Sequence, residues 1–369
     1  MRKGLLVVTF LGVVAGMTLR TASAFKEVQS GWTFMASLAI GFSVGRALVS
    51  FVSSKAANKY GSKVTALGFL ALAFIGLAYA LGPVELYPLL RVLHGFSSGI
   101  TWPSMQSVVM GTASKEERAK VSSLYFFIGT IGMSFAYLIG GVLSRESLLV
   151  FPLILIGLSI YLFRESIKIE LSKIKSEKGL FNPPSSTLFL MAMATGMLNL
   201  LVNSEVTISL LYLMFGKIMA GIFLSLASAI GSVVSYFLGR KMLDLKQSPA
   251  SIVVPATASI ASSQPLLIVH DPYAKVASIA LTQGTITWWR GLLVAAARSG
   301  DVGARIGLVN MGRDLGNVIA GLIVSAIGQP GFAFALGVSY VVTTLSMVPL
   351  LSLKRSNNSR SSYINLQDA

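Results

Sequence analysis

The chain has 369 residues, of which 54% are hydrophobic and only 12% are charged, whereas soluble domains carry roughly 25% charged residues. This composition excludes a soluble core of that size. The formal net charge of +16 comes from basic residues in short loops between apolar runs, a pattern of membrane topology and not of nucleic-acid binding. Without Cys, and with only His94 and His270, disulfides, thiolate metal sites and a His metal cluster are excluded.

The first half of the chain contains six apolar runs bounded by Gly, Pro and charged residues. A helix that crosses the roughly 30 Å of bilayer hydrocarbon needs about 20 mainly apolar residues. The first run, with Arg2 and Lys3 before it and Ala22-Ser23-Ala24 at its end, resembles a cleavable signal peptide. We interpret it as a span, because the internal repeat requires it as the first helix. The predicted spans are 4–23, 31–53, 62–82, 86–111, 120–143 and 147–163.

A polar, charge-dense segment follows the sixth run. It contains four Lys, three Glu and Pro183-Pro184, and we predict a linker between two bundles. Six more spans are predicted at 187–213, 218–238, 249–269, 274–296, 306–327 and 331–353. The predicted divisions are an N-terminal six-helix bundle (1–163), a linker (164–186), a C-terminal six-helix bundle (187–353) and a tail (354–369).

The Lys and Arg residues of the predicted loops alternate between the two sides of the membrane. Basic loops stay in the cytoplasm. One side holds the loop around Lys59, the linker and the tail, while the other keeps little beyond Lys26, Arg145, Lys217 and Lys275. We therefore predict an all-α protein of the cell membrane, inner or plasma, with cytoplasmic termini and an even number of spans.

The two halves of the chain resemble each other at a nearly fixed offset. Three residues recur 187 positions later: Arg118, Gly129 and Gly141 become Arg305, Gly316 and Gly328. A tripeptide recurs 185 positions later, as Val49-Ser50-Phe51 and Val234-Ser235-Tyr236. These matches indicate a duplication at half the chain length, and parallel six-helix repeats are typical of secondary transporters.

Two loops carry a resemblance to a known family. After the second predicted helix the chain reads S-K-A-A-N-K-Y-G-S-K, where the Major Facilitator Superfamily has G-x-x-x-D-R-x-G-R-K. Gly61 and Lys63 match, whereas Asn58 replaces the Asp. The fourth helix reads R-V-L-H-G-F-S-S-G and is followed by K-E-E-R-A-K, which contains Glu117 and Arg118. The chain thus resembles a prokaryotic-type member of the superfamily with twelve spans.

The resemblance implies two pseudo-symmetric six-helix bundles around a cavity lined by helices 1, 4, 7 and 10. It also implies a monomer in the lipid bilayer that moves a small-molecule substrate, with a coupled ion such as H⁺. Neither an enzyme nor a cofactor nor a nucleic-acid partner is expected. The sequence has no phosphate loop and no enzyme motif, so a gradient and not ATP would drive transport.

In the family, the loop Asp latches the two bundles at a helix end. Since Asn58 stands in its place, we expect a weaker latch, or one that uses Glu116 or Glu117. The alternative interpretation of the loop, including Lys63, is a solvated basic turn that only sets orientation.

Ionisable residues within the predicted spans are the main functional signal. A charge near the bilayer centre costs at least about 2.5–3.5 kcal/mol, so it usually faces a cavity or a partner. Arg46, Arg290, Arg313 and Asp314 lie about 12 Å from the predicted cytoplasmic helix ends, at about 1.5 Å per residue. Asp314 is the only acid that we place clearly within a span. We predict that it pairs with Arg46 as an inner gate between the bundles; the alternative is a local Arg313 or Arg290 partner.

Arg20 and Arg91 lie nearer the outer ends of helices 1 and 4. Guanidinium groups in a cavity of low dielectric constant bind carboxylate or phosphate, which favours an organic or phosphorylated anion as substrate. The alternative is that both side chains reach up to the outer interface. Multidrug or cation efflux needs an acid embedded in the first bundle. Glu27 lies at the end of helix 1 and not within it, which makes cation efflux the less favoured alternative. A structural or sensor protein that lost transport is a further alternative.

Other polar side chains fall on the predicted lining helices. Asn199 and Asn203 lie in helix 7, Gln283 in helix 10, and Trp102 precedes Pro103 in helix 4. We interpret these residues as candidate substrate contacts. His94 is a candidate proton relay, because the ordinary pKa of imidazole is near neutral; the alternative is a packed histidine.

Replacing Asp314 with Asn should abolish or uncouple transport if the Arg46–Asp314 gate is correct, because the amide cannot neutralise a guanidinium group. The measurement is uptake into proteoliposomes that contain the purified variant. Unchanged transport would rule out the gate.

Overall fold

Long helices account for most of the chain, as its apolar runs predict, because a helix satisfies its own backbone hydrogen bonds inside a bilayer. The computed structural model describes residues 3–114, 117–143, 146–169, 183–241, 250–269, 271–297, 301–328 and 333–347. Its α-helices are α1 (Lys3–Glu27), α2 (Trp32–Tyr60), α3 (Ser62–Leu81), α4 (Tyr87–Gly111), α5 (Arg118–Val142), α6 (Val150–Glu165), α7 (Ser185–Val202), α8 (Glu205–Lys241), α9 (Ala250–Ser263), α10 (Pro265–Ile268), α11 (Pro272–Ala296), α12 (Val302–Ile327) and α13 (Ala333–Met347).

Six helical segments in the described ranges are long and apolar enough to cross a membrane. Five are in the first half, where each of the six predicted spans coincides with one helix; the bounds agree to within four residues except at the end of α2, which continues seven residues beyond the predicted span 31–53 to Tyr60. The helices α4, α11 and α12 are as long but less apolar, since they carry residues such as Arg91, Arg290 and Arg313. The total of twelve spans remains a prediction.

The predicted span 187–213 is not one helix, which corrects the sequence interpretation. The helix α7 ends at Val202, Asn203 has a non-helical backbone (φ −152°, ψ 51°), and α8 begins at Glu205. Ser204 supports this break, because its Oγ donates to the Leu200 carbonyl oxygen and accepts from the Val206 N–H at 3.1 Å. Short polar side chains of this kind compete with the helical backbone, a local effect that an apolar window does not detect.

A second bend divides α8. Its 37 residues would extend about 55 Å as a straight helix, well beyond the roughly 30 Å of bilayer hydrocarbon. Gly216 interrupts it with φ +77° and ψ 171°, a conformation open to glycine because it has no Cβ. The bend coincides with the predicted loop between the spans 187–213 and 218–238.

The same helix pairings occur in both halves of the chain. In the first half α2 packs on α4 and α1 on α5; in the second half α8 packs on α11 and α7 on α12. Across the halves, α2 packs on α12 and α5 on α8. This repetition is what a duplicated unit produces. The division at residues 164–186 remains a prediction, and most of the linker and the whole tail (354–369) lie outside the described residues.

The two ends of the molecule differ in which helices begin or end there. The basic face is the end where α2 ends and α12 begins, which the sequence predicts to be cytoplasmic. The far face is the end where α1 and α5 finish, and where the ring of Phe25 lies 6.3 Å from that of Tyr212.

Glycines allow the closest helix contacts. In α4, a Cβ at Gly95 would lie 2.7 Å from the Phe42 carbonyl carbon of α2. In α5, Gly140 faces Thr21 of α1, and a Cβ at Gly141 would lie 3.3 Å from the Gly221 Cα of α8. These contacts support close packing as the role of the glycines in helix 5.

Replacing Gly95 with Ala should destabilise the protein by about 1–3 kcal/mol, because backbone atoms cannot move aside as a side chain does. Thermal unfolding of the purified protein is the measurement. The matched control is Gly157→Ala in α6, where a Cβ meets no atom within 4 Å; helix propensity alone makes it neutral or slightly stabilising. Equal unfolding temperatures for the two variants would contradict the packing argument.

Candidate functional site

A cavity of about 120 Å³ lies between the two halves of the chain, many times the roughly 10–15 Å³ that one water requires. Residues from α1, α2, α4, α5, α7, α11 and α12 line it, so all four of the predicted lining helices take part. Its apolar wall residues lie mainly on α1 and α5, where Val13, Met17, Phe126 and Met133 face it beside polar residues such as Thr130. Its charged groups lie toward the two ends.

The first charged group, the Glu205 cluster, consists of Arg20, Arg91 and Glu205 and lies toward the far face. Arg20 donates from Nε to Glu205 Oε1 at 2.7 Å and from Nη2 to Oε2 at 2.6 Å. Arg91 Nη1 is 3.7 Å from Oε1, and its Nη2 donates to the Arg20 carbonyl oxygen at 2.7 Å. The Glu205 side chain is fully buried. A bidentate charge-assisted pair therefore joins α1 of one half to α8 of the other.

Glu205 corrects two sequence interpretations. The proposal that Asp314 is the only acid within a span is wrong, because Glu205 falls inside the predicted span 187–213 and is buried. The alternative that Arg20 and Arg91 reach up to the outer interface is also wrong, because both guanidinium groups are held at Glu205. The sequence signal that could have identified Glu205 is the presence of an acid inside a run of apolar residues.

The second charged group, the Asp314 cluster, consists of Arg46, Asn310, Arg313 and Asp314 and lies nearer the basic face. Arg46 Nε is 3.2 Å from Asp314 Oδ2, and Arg46 Nη2 donates to Asn310 Oδ1 at 3.2 Å. Arg313 donates to Asp314 Oδ1 from Nε at 3.0 Å and from Nη2 at 2.5 Å. Thus Asp314 contacts both the Arg46 partner that we predicted and the local Arg313 alternative. The gating role of the pair remains a prediction.

Arg290 has no acidic partner among the residues that the structure describes. Its guanidinium carbon lies 5.2 Å from the centre of the Phe126 ring, a cation–π contact. It lines the main cavity and, with Arg313, a second cavity of about 10 Å³ beside it, close to the roughly 10–15 Å³ that one water requires. Arg290 therefore brings an unneutralised positive charge to the cavity.

The other predicted contacts divide into two groups. Asn199, Asn203 and Trp102 line the cavity, and Asn203 Oδ1 accepts a hydrogen bond from Tyr137. Two do not line it. Gln283 donates to Ser228 Oγ at 2.9 Å, and the buried His94 ring packs edge-on against Phe42, with 5.5 Å between the ring centres.

At the basic face Asn58 contacts an acid that we did not predict as its partner. Asn58 Nδ2 donates to Asp301 Oδ1 at 2.6 Å, and its Oδ1 accepts from the Gly303 N–H at 3.2 Å. Asn58 on α2 thus bridges to the start of α12, and the carboxylate comes from the second half of the chain. Glu117 instead lies beside Ser114, whose Oγ accepts from the Glu117 N–H at 3.2 Å. Glu116 lies outside the described residues.

The remaining loop residues have local positions. Gly61 ends α2 with φ +59°, and its neighbour Ser62 donates from its N–H to the Ile167 carbonyl oxygen at 2.8 Å. Lys63 is exposed and Arg118 begins α5. The interpretation as a solvated basic turn therefore fits Lys63. Gly61 instead supplies the positive φ that the end of α2 requires.

The comparisons with known proteins identify the family and the fold of the chain. The sequence model of the Major Facilitator Superfamily matches residues 5–321, so the chain belongs to that superfamily. No curated protein matches the sequence significantly. Among solved structures, the human organic anion transporter MFSD10 (TETRAN) superimposes with a TM-score of 0.65 at 16% sequence identity, over 94% of this chain and 99% of that one. At that identity the likeness shows the fold alone.

Replacing Glu205 with Ala should lower the free energy of unfolding by about 3–5 kcal/mol, because it leaves two buried arginines without their counter-charge. Thermal unfolding measures the effect. Glu85→Ala, at an exposed acid, is the control. Replacing Arg20 and Glu205 together with Met should recover part of the loss, since well-packed apolar residues can substitute for a buried ion pair. If Glu205→Ala unfolds like the control, the ion pair contributes no stability.

Proposed function

We propose that the protein is a secondary active transporter that moves a small organic anion across the cell membrane by alternating access. The observation that carries this proposal is the imbalance of charge around the central cavity. Four arginines line the cavity, Arg20, Arg46, Arg290 and Arg313, and Arg91 contacts Arg20 without lining it, whereas the ion pairs of this region contain two carboxylates, Glu205 and Asp314. Arginine stays charged at any working pH, so an anionic substrate would neutralise the excess.

The architecture we propose follows the sequence prediction. Twelve spans form two six-helix bundles, at 1–163 and 187–353, with the termini and the basic face in the cytoplasm. The human protein of similar fold is described as an organic anion transporter, which agrees with an anionic substrate.

Three contacts that cross between the halves are the proposed gates. Arg20–Glu205 lies toward the far face, Arg46–Asp314 lies deeper, and Asn58–Asp301 lies at the basic face. Alternating access requires the contacts at one end to break while those at the other end hold. A coupled ion such as H⁺ remains part of the proposal.

Efflux of cations or cationic drugs is the competing function. It requires a carboxylate that is free to bind a positive charge. In the described residues, Glu205 and Asp314 are each in contact with two arginines, so neither is free. This favours an anion over a cation as substrate.

Transport by purified protein in proteoliposomes tests the proposal. We expect an imposed gradient to drive uptake of organic anions such as benzenesulfonate and phenyl phosphate, but not of the cation tetraphenylphosphonium. Replacing Arg290 with Gln should reduce anion uptake by at least about tenfold, equivalent to about 1.4 kcal/mol.

The matched control is Arg164→Gln, which removes an exposed cation at the end of α6 and should leave uptake unchanged. Uptake of tetraphenylphosphonium alone would show cation transport instead. If neither the anions nor the cation are taken up under any gradient, the result would favour the alternative in which the protein kept the fold but lost transport.

A further inference from the structure

The positive charge around the cavity is unevenly distributed between its two ends. In the Glu205 cluster, Arg20 places Nε and Nη2 on the two carboxylate oxygens, and Arg91 Nη2 bonds the Arg20 carbonyl oxygen. That end keeps an excess of one charge; Arg91 Nη1 makes no hydrogen bond there, but Arg91 is not among the residues that line the cavity. Near the basic face, Asp314 is the one carboxylate that the described residues place in contact with Arg46 and Arg313, and Arg290 contacts none, which leaves an excess of two.

The arginines near the basic face also retain unused hydrogen-bond donors. Arg290 has no hydrogen bond within the described part of the chain, although a guanidinium group carries five N–H donors. Arg46 Nε lies 3.2 Å from Asp314 Oδ2 but is not directed at it and makes no hydrogen bond. Both residues line the cavity. Charge and donors are therefore available at the same end.

Two excess charges in a low-dielectric interior are best neutralised by two negative charges on one ligand. A phosphate monoester carries both, and its oxygens match the planar fork of a guanidinium group. We propose that the substrate is a divalent anion with an apolar body, and that its dianionic head binds between Arg46, Arg290 and Arg313. This inference rests on the proposed function and adds the charge and orientation of the substrate.

The rest of the cavity wall indicates the chemical character of the part of the substrate that lies beyond its anionic head. Beyond the arginines the larger part of the exposed wall is apolar and includes Val13, Met17, Trp102, Phe126 and Met133, while polar side chains such as Thr130 and Asn199 interrupt it. Trp102 is fixed there by an edge-to-face contact with Phe69, with the ring centres 5.7 Å apart. Aromatic and aliphatic side chains of this kind favour a flat apolar group, which distinguishes the substrate from inorganic phosphate.

Two probes of similar shape separate a divalent from a monovalent head. Phenyl phosphate and benzenesulfonate share a ring and a tetrahedral anion. At pH 7.5 we expect phenyl phosphate to bind at least about tenfold more tightly. That ratio should fall as the pH is lowered to 5, because a phosphate monoester has its second pKa near 6 and then carries one charge. Benzenesulfonate keeps one charge throughout, so it controls for effects of pH on the protein.

Isothermal titration calorimetry on the purified full chain gives the affinities. Arg290→Gln leaves an excess of one charge, so the phenyl phosphate to benzenesulfonate ratio should fall toward one. Arg290→Lys keeps the charge without the fork; it should preserve the ratio while weakening both affinities. Arg164→Gln should change neither. Continued benzenesulfonate binding by Arg290→Gln shows that the variant is folded.

A ratio below about twofold at pH 7.5, with both anions still transported, would overturn the divalent substrate and leave the proposed function intact. Inorganic phosphate that binds as tightly as phenyl phosphate would overturn the apolar body. If neither organic anion binds or is transported, the proposed function fails together with this inference.

Discussion

The structure depends on the high cost of placing ionised groups in an interior without water. Beside the cavity the described residues hold two carboxylates, Glu205 and Asp314, and a larger number of arginines, and each of these carboxylates contacts an arginine from the opposite half of the chain. Removing one partner of such a buried pair costs far more than the pair contributes to stability. These contacts therefore set how the two halves meet. Because the carboxylates are fewer, the same constraint leaves positive charge beside the cavity.

Much of the fold could be predicted from the sequence, because the length of an apolar run is fixed by the thickness of the bilayer. The first six helices are near their predicted positions for this reason. The ion pair between Arg46 and Asp314 could also be predicted, since both residues are charged, deep within spans and on helices that the family resemblance brings together. The cavity contacts of Arg290, Trp102 and Asn199 follow from their positions on lining helices.

The rest of the fold and of the candidate site could not be predicted, because it depends on properties that the apolar runs of the sequence do not record. His94 and Gln283 lie on lining helices but face neighbouring side chains, because the direction of a helical side chain depends on the rotation of the helix about its axis. The break at Asn203 and Ser204 depends on local hydrogen bonds. Asp301 stands just before α12, where it caps that helix by accepting from the Ala304 N–H, and tertiary packing alone brings it to Asn58.

The ion pair between Arg20 and Glu205 connects the internal repeat to the site. The two residues are 185 positions apart, the same offset that separates the repeated tripeptides in the two halves. They therefore occupy equivalent positions in the duplicated units. Two residues at equivalent positions can contact each other only near the axis that relates the two units. Like charges would repel there, whereas the opposite charges of Arg20 and Glu205 attract. An alignment of the two halves would have placed this acid opposite a cation.

The break at Asn203 and the bend at Gly216 set residues 205–215 apart from the helices on either side. Glu205 holds this segment against α1 through its ion pair with Arg20. Because neither end of the segment continues a regular helix, a change in its tilt would not require the flanking helices to rotate. Such a tilt would alter the wall of the cavity toward the far face, where Asn203 and Ser204 line it.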